Sequence, residues 1–350
     1  MAVDLSLISV TLYHLCPILI VFGTLGNLIN IRIFLTKELR QHSCSMYFIF
    51  ESAASLLYVW LIITIRYFAE VYQMSFFVYT TQSCGFYYYS AYAIRQLCSS
   101  LYVLVSVDRY FSSSSNVRFR QFSEVKTTRY TIPIVILTAF LMYLYLPAYY
   151  KLSRTPSGTF VCSIPDSAIN QFTLMFFTTL TVILTTLLLL VFNVLTLKNI
   201  RRHRHQLHVT TNNLSLHRRR DRQMIKIMLY QTFLYLCLCL PQLLVGTYAS
   251  FITPLTITIA FFAKLFLFVS FLNYVCRCFV NTTVAPMYRH ALFKLLNRWW
   301  KKLFCDSTLI ERYFLVQQHQ QRTQFTQTRI NPTKRIFSAT SGVQVRTIVE

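Results

Sequence analysis

The chain has 350 residues, 55% of them hydrophobic and only 13% charged, where soluble domains carry about 25% charged residues. Long apolar runs on that background describe an integral membrane protein. A net charge of +23 could point to nucleic acid, but its placement argues against it: two Lys/Arg fall in 36–45, four in 112–130, nine in 198–226 and eleven in 284–350, while segments 1–7, 68–82, 150–168 and 252–256 hold only Lys151 and Arg154. Basic residues on alternate connections are the positive-inside pattern, which sets topology and draws one face to anionic lipid.

A short tail, 1–6, carries no basic region and no small-residue cleavage site, so the first apolar run reads as a retained spanning helix. That helix covers about 7–35, with a kink expected at Pro17. It contains Gly26-Asn27, and an Asn at mid-membrane must find a partner on another helix. A second helix covers about 44–67 and contains Glu51. The third, 84–111, runs from Cys84 to Asp108-Arg109-Tyr110. At about 1.5 Å per residue, Cys84 and Arg109 lie roughly 37 Å apart, enough to place them at opposite faces of a bilayer core about 30 Å thick. A fourth helix covers about 129–150 and ends near Pro147, and segment 151–168 reads as a loop with one cysteine, Cys162.

The fifth helix covers about 169–197 and has no proline in its core. The most basic connection follows, then a sixth helix at about 222–251 with a kink expected at Pro241. A seventh covers about 257–281. Residues 284–305 read as an amphipathic surface helix, with Met287, Leu292, Leu295, Leu296, Trp299 and Trp300 among basic residues. Cys305 just after it is a palmitoylation candidate. Residues 306–350 are polar, rich in Ser, Thr, Gln and Arg, and read as a disordered tail. The fold class is therefore an all-α membrane protein: seven spanning helices over 7–283, N-terminus outside and C-terminus inside. The ten cysteines show no CxxC spacing, so no zinc or other metal site is expected, and Cys237, Cys239, Cys276 and Cys278 read as packing residues.

An apolar third helix with Cys at its outer end and Asp-Arg-Tyr at its inner end resembles the rhodopsin-like (class A) G-protein-coupled receptors. Gly26-Asn27 and the seven-helix topology extend the resemblance over nearly the whole chain. It implies a plasma-membrane receptor that binds an extracellular ligand and activates a heterotrimeric G protein, with arrestin as a further partner of the Ser/Thr-containing tail. Cofactors, enzymatic activity and nucleic-acid binding are not implied. It also implies a disulfide between Cys84 and Cys162. Arg109 would be held by Asp108 and by an acid at the start of the sixth helix, here Asp221, twenty residues before Pro241. Asp108, Arg109, Tyr110, Asp221 and Pro241 would then form the coupling switch.

Departures from the family pattern are specific. The fourth-helix Trp is missing. Thr185 stands at the best match for the fifth-helix proline. The Cys-Trp-x-Pro of the sixth helix reads Leu238-Cys239-Leu240-Pro241. The sodium-binding Asp of the second helix falls at Ser55, and Asn-Pro-x-x-Tyr appears as Arg277-Cys278-Phe279-Val280-Asn281. The matching depth for a retinal-binding Lys reads Phe271, and Ala91 stands near the Asp that amine receptors use.

Intramembrane charges are costly and mark functional candidates. Arg95 lies fourteen residues before Arg109, roughly 21 Å higher along a helix. With Tyr88, Tyr89, Tyr92 and Lys264 it forms the expected ligand-binding set and favours a peptide or acidic ligand. Satisfaction of Arg95 by helix carbonyls or by Glu70 is the alternative. Glu51 and Arg277 enter the membrane to similar depths, roughly 9 and 6 Å from the same face, and would form a buried ion pair. The other possibility is that Arg277 snorkels to the surface and Glu51 is protonated. A transporter or channel using Glu51, Arg95 and Arg277 is the alternative function.

Overall fold

A backbone in hydrocarbon must satisfy its own N–H and C=O groups, and helices do so within one segment. The computed structural model describes residues 10–72, 80–114, 116–154, 160–206, 212–251 and 256–304. Its main helices are Val10–Phe34 (α1), Ser43–Val71 (α2), Thr81–Ser112 (α3), Val125–Tyr149 (α4), Ser167–Arg202 (α5), Asn212–Phe251 (α6), Ile257–Val275 (α7), Arg277–Val284 (α8) and Pro286–Phe304 (α9). Six of them, α1, α2, α4, α5, α6 through its Ile225–Ala249 stretch, and α7, are long and apolar enough to cross a membrane. The chain is a multi-pass membrane protein built from α-helices.

The helix α3 is different. It has 32 residues, but tyrosines, serines, Arg95 and Gln96 lower its apolarity below that of the six. Those groups are tolerated because α3 packs against α2, α4 and α5, so much of its surface faces protein. A capping box formed by Thr80 and Ser83 starts it. At Gly85 an added Cβ would lie 2.8 Å from the Cα of Pro147, so α3 and α4 touch backbone to backbone there.

Several boundaries differ from expectation, each for a physical reason. The chain turns at His14–Leu15 and restarts at Cys16, placing Pro17 in the first turn of the new segment, where its missing N–H costs nothing. Segment 151–168 is not a plain loop: Lys151–Arg154 (β1) pairs antiparallel with Phe160–Ser163 (β2), with Leu152 opposite Cys162. Among the described residues the basic connection is largely helical, since helix runs on past Arg202 to Gln206 and α6 begins at Asn212. The seventh helix is interrupted at Cys276 and resumes as α8, ending at Val284 rather than 281.

Two helices contain wide π turns, Val59–Ile63 in α2 and Thr178–Leu184 in α5. Each is closed by a threonine whose hydroxyl donates to the carbonyl five residues back, Thr64 to Val59 and Thr185 to Leu180, both at 3.2 Å. The fifth helix therefore departs from α geometry at Thr185 with no proline there. Residues to Leu292 form one compact unit. In the second unit, Leu296, Trp299 and Trp300 expose apolar surface at helical spacing.

Candidate functional site

A cavity of about 210 Å³ lies among α2, α3, α5, α6 and α7. Arg66, Tyr88, Tyr92 and Arg95 line it, with Tyr58, Tyr87, Phe177, Gln242 and Phe271 completing the walls that matter below. Of the expected ligand set, Tyr88, Tyr92 and Arg95 are therefore brought together. Tyr89 is not: its ring packs against Phe140 on α4, centroids 6.0 Å apart. Lys264 does not line the cavity either. Its ammonium meets Glu70 at 2.9 Å. The other oxygen of Glu70 takes Arg66 at 3.5 Å.

Arg95 is held otherwise. Its Nη2 donates to Gln242 Oε1 and, at 3.4 Å, to Ser270 Oγ. The guanidinium sits over the Phe177 ring, 5.5 Å from its centroid. Among the described residues Arg95 pairs with neither Glu70 nor a helix carbonyl, and its hydrogen bonds go to side chains instead. Arg66 and Gln242 were not anticipated. Arg66 carried the same signal as Arg95, an ionisable residue in an apolar run; Gln242 follows Pro241 and gave no signal.

At the Cys84 end of α3, a disulfide joins Cys84 to Cys162 on β2, with Cα atoms 5.9 Å apart. The bond pins the hairpin over α3, and Tyr150, just before β1, stacks on Tyr88 at 4.2 Å. One wall of the cavity is thereby tied to a covalent anchor.

Deeper in the bundle, the Arg277 guanidinium meets the Glu51 carboxylate, and each residue is 1% exposed. Ser55, one turn on, donates to Glu51 Oε1 at 3.0 Å. Arg277 Nε donates to the Asn273 carbonyl at 2.9 Å, and the Tyr102 ring lies 4.2 Å beneath the guanidinium. The break at Cys276 releases backbone carbonyls nearby: Asn27 on α1 donates to the Tyr274 carbonyl at 2.9 Å.

At the other end of α3, Arg109 Nη2 meets Asp108 Oδ2 at 2.7 Å, and Ser123 donates to Asp108 Oδ1 at 2.8 Å. Both charged residues are buried. Tyr110 packs toward Phe192 of α5, centroids 5.7 Å apart. Asp221 lies in α6, but its side chain is outside the described residues, as is Cys305 entirely. Pro241 sits inside α6.

A polar network near the start of α9 was not anticipated. Gln231 donates to Asn281 Oδ1 at 2.8 Å, and Asn281 donates to Asn30 Oδ1 at 3.2 Å. Tyr288 also donates to Asn30. Burial, with the Cys278 thiol beside it, pushes the Tyr288 phenol far above its ordinary value, so it remains a donor. The network links α1, α6, α8 and α9. Among the described residues no cluster of His, Cys, Asp or Glu could hold a metal ion.

The chain matches no protein-family model, and a search of the curated proteins returns no match.

Proposed function

We propose that this membrane protein is a receptor of the rhodopsin-like kind, in which α3 is the third of seven spans and α9 is an amphipathic helix on the inner surface. In this reading it sits in the plasma membrane with the N-terminus outside. A ligand enters the Arg66/Arg95 cavity, and a heterotrimeric G protein engages the Arg109 end. Arrestin engages the tail beyond 305, and the Leu296/Trp299/Trp300 face meets lipid.

The observation that carries this reading is the layout of α3. One helix holds a disulfide-anchored hairpin at its start, a polar cavity within the next few turns, and a buried Asp108–Arg109 pair at its far end. A ligand in the cavity and a partner at Arg109 would act on the same rigid element. Signalling through it needs a switch at the far end, and a carboxylate that holds the arginine supplies one.

The test is basal nucleotide exchange on purified heterotrimers by the reconstituted protein. Asp108→Asn leaves the Arg109 guanidinium with a weaker neutral partner and should raise ligand-independent exchange several-fold. Exchange that never exceeds the protein-free rate, for wild type and variant and across the G-protein subtypes, counts against the reading. Ion flux in the same vesicles without exchange would support a transporter or channel instead.

A further inference from the structure

The cavity carries an unbalanced charge. Two guanidiniums line it, Arg66 and Arg95, and no carboxylate does. Glu70, just beyond Arg66, divides its two oxygens between Arg66 and Lys264. Among the described residues Arg95 has no carboxylate within ion-pair distance; its partners are the amide of Gln242, the hydroxyl of Ser270, the Cys239 thiol and the face of Phe177. Neutral hydrogen bonds orient a guanidinium but leave its charge uncancelled, and in a low-dielectric surround that charge attracts an anion strongly. A guanidinium also offers a planar fork that fits a carboxylate in two parallel bonds.

Shape and size narrow the anion. The remaining walls are aromatic, with Tyr58, Tyr87, Tyr88, Tyr92, Phe177 and Phe271 around the two arginines. Rings of this kind hold a flat apolar body by edge and face contacts. The volume of about 210 Å³ lies below the roughly 300–1,000 Å³ typical of pockets for drug-sized ligands. That size suits a single ring with a short acidic arm better than a peptide of several residues. An ammonium ligand would face two cations and no acid.

We propose that the cavity binds a small aromatic monocarboxylate, its carboxylate clamped by Arg95 with Arg66 as the second cation and its ring held among the tyrosines and phenylalanines. The proposal names the ligand class for the receptor reading and rests on that reading only for what binding does. Binding itself is measured without a G protein, so failed nucleotide exchange leaves it standing, and failed binding leaves coupling at Arg109 untouched.

The experiment uses the purified full-length protein in detergent micelles. Thermal unfolding is followed with 3-phenylpropanoate, its primary amide, phenethylamine, and N-acetyl-glycyl-phenylalanine with a free C-terminus. The acid should raise the melting temperature in a saturable way, and the amide and amine should not. Arg95→Gln should weaken the acid by about tenfold or more, the loss expected for a charge-assisted bidentate contact. Arg66→Gln should weaken it less, since Glu70 already shares that charge. Tyr230→Phe, on the exposed face of α6, should leave binding unchanged. Should Arg95→Gln fail to fold, Arg95→Lys keeps the charge without the fork and should retain weakened binding.

Equal stabilisation by acid and amide, or acid binding indifferent to Arg95, overturns the proposal. So does the absence of any shift with the acid. Binding of the peptide acid without 3-phenylpropanoate would assign the site to a peptide C-terminus and likewise overturn it.

Discussion

Arg277 and Arg95 are both guanidiniums set in apolar helices, and the molecule treats them in opposite ways. Arg277 is sealed: Glu51 takes its charge, Asn273 takes its Nε–H, and Tyr102 covers its face. Arg95 is oriented but unanswered, held by an amide and a hydroxyl at the wall of a cavity. A charge paired this way, buried and away from the cavity, serves to fix α2 against α7 and α8. An unanswered cation beside a cavity is chemically incomplete until something anionic arrives. The difference sorts a structural charge from a binding charge without reference to any relative.

The largest effect should come from breaking the sealed pair. Glu51→Gln leaves Arg277 buried and uncompensated, and Arg277→Gln does the same to Glu51. Removing one partner of a buried pair costs about 3–5 kcal/mol, a large fraction of a typical stability of about 5–15 kcal/mol. Both variants should lower the yield of detergent-stable protein and its melting temperature sharply. The exchange Glu51→Arg with Arg277→Glu should recover part of the loss. An exchange that melts no higher than the worse single variant would show that the two charges do not answer each other.

This pair was legible in the sequence, and the cavity only partly so. Depth along a helix follows from counting residues, so Glu51 and Arg277 could be placed at one level. The high cost of a lone charge there made a partner necessary. The paired cysteines were legible for a similar reason, since both fell on one side of the membrane and the family resemblance supplied the bond. Direction around a helix is harder. Lipid and protein interior are both apolar, so no polar stripe marks which face turns inward. Tyr88 and Tyr89 show the consequence: adjacent in sequence and alike in chemistry, they diverge, one lining the cavity and the other packed on Phe140. Lys264 was at a plausible depth but was taken by Glu70. The π turns before Thr64 and Thr185 were also hidden, because each depends on a hydroxyl reaching one carbonyl further back than α geometry allows. The hairpin of β1 and β2 was hidden in a short polar segment where only Cys162 stood out.

A smaller effect should come from Ser55. Its hydroxyl donates to the same Glu51 oxygen that faces Arg277. Hydrogen bonds to charged groups contribute about 1.5–3 kcal/mol, and Ser55→Ala removes this one while leaving the ion pair in place. The melting temperature should fall by clearly less than in Glu51→Gln. If Ser55→Ala proves as damaging as Glu51→Gln, the carboxylate depends on the serine as much as on the arginine, and the pair is less self-contained than its geometry states.

The smallest stability effect should come from Arg95 itself, and it is the sharpest test of the comparison. The Arg95 guanidinium, half-buried at the cavity wall, gains about 1.5–3 kcal/mol from a hydrogen bond involving a charged group, which roughly offsets the desolvation cost of several kcal/mol for a buried ion. Glutamine is shorter and uncharged. Arg95→Gln therefore exchanges a cation with no carboxylate partner for a neutral amide at the cavity wall. In the absence of ligand its melting temperature should match or exceed that of the wild type, within about 1 kcal/mol of stability, the usual scale for a substitution that opens no cavity and orphans no charge. The same substitution at Arg277 should be ruinous. Side-by-side melting curves of Arg95→Gln and Arg277→Gln read the difference directly. Should Arg95→Gln unfold as readily as Arg277→Gln, then Gln242, Ser270 and Phe177 are a structural clamp, and Arg95 holds α3 to α6 and α7 rather than waiting for an anion.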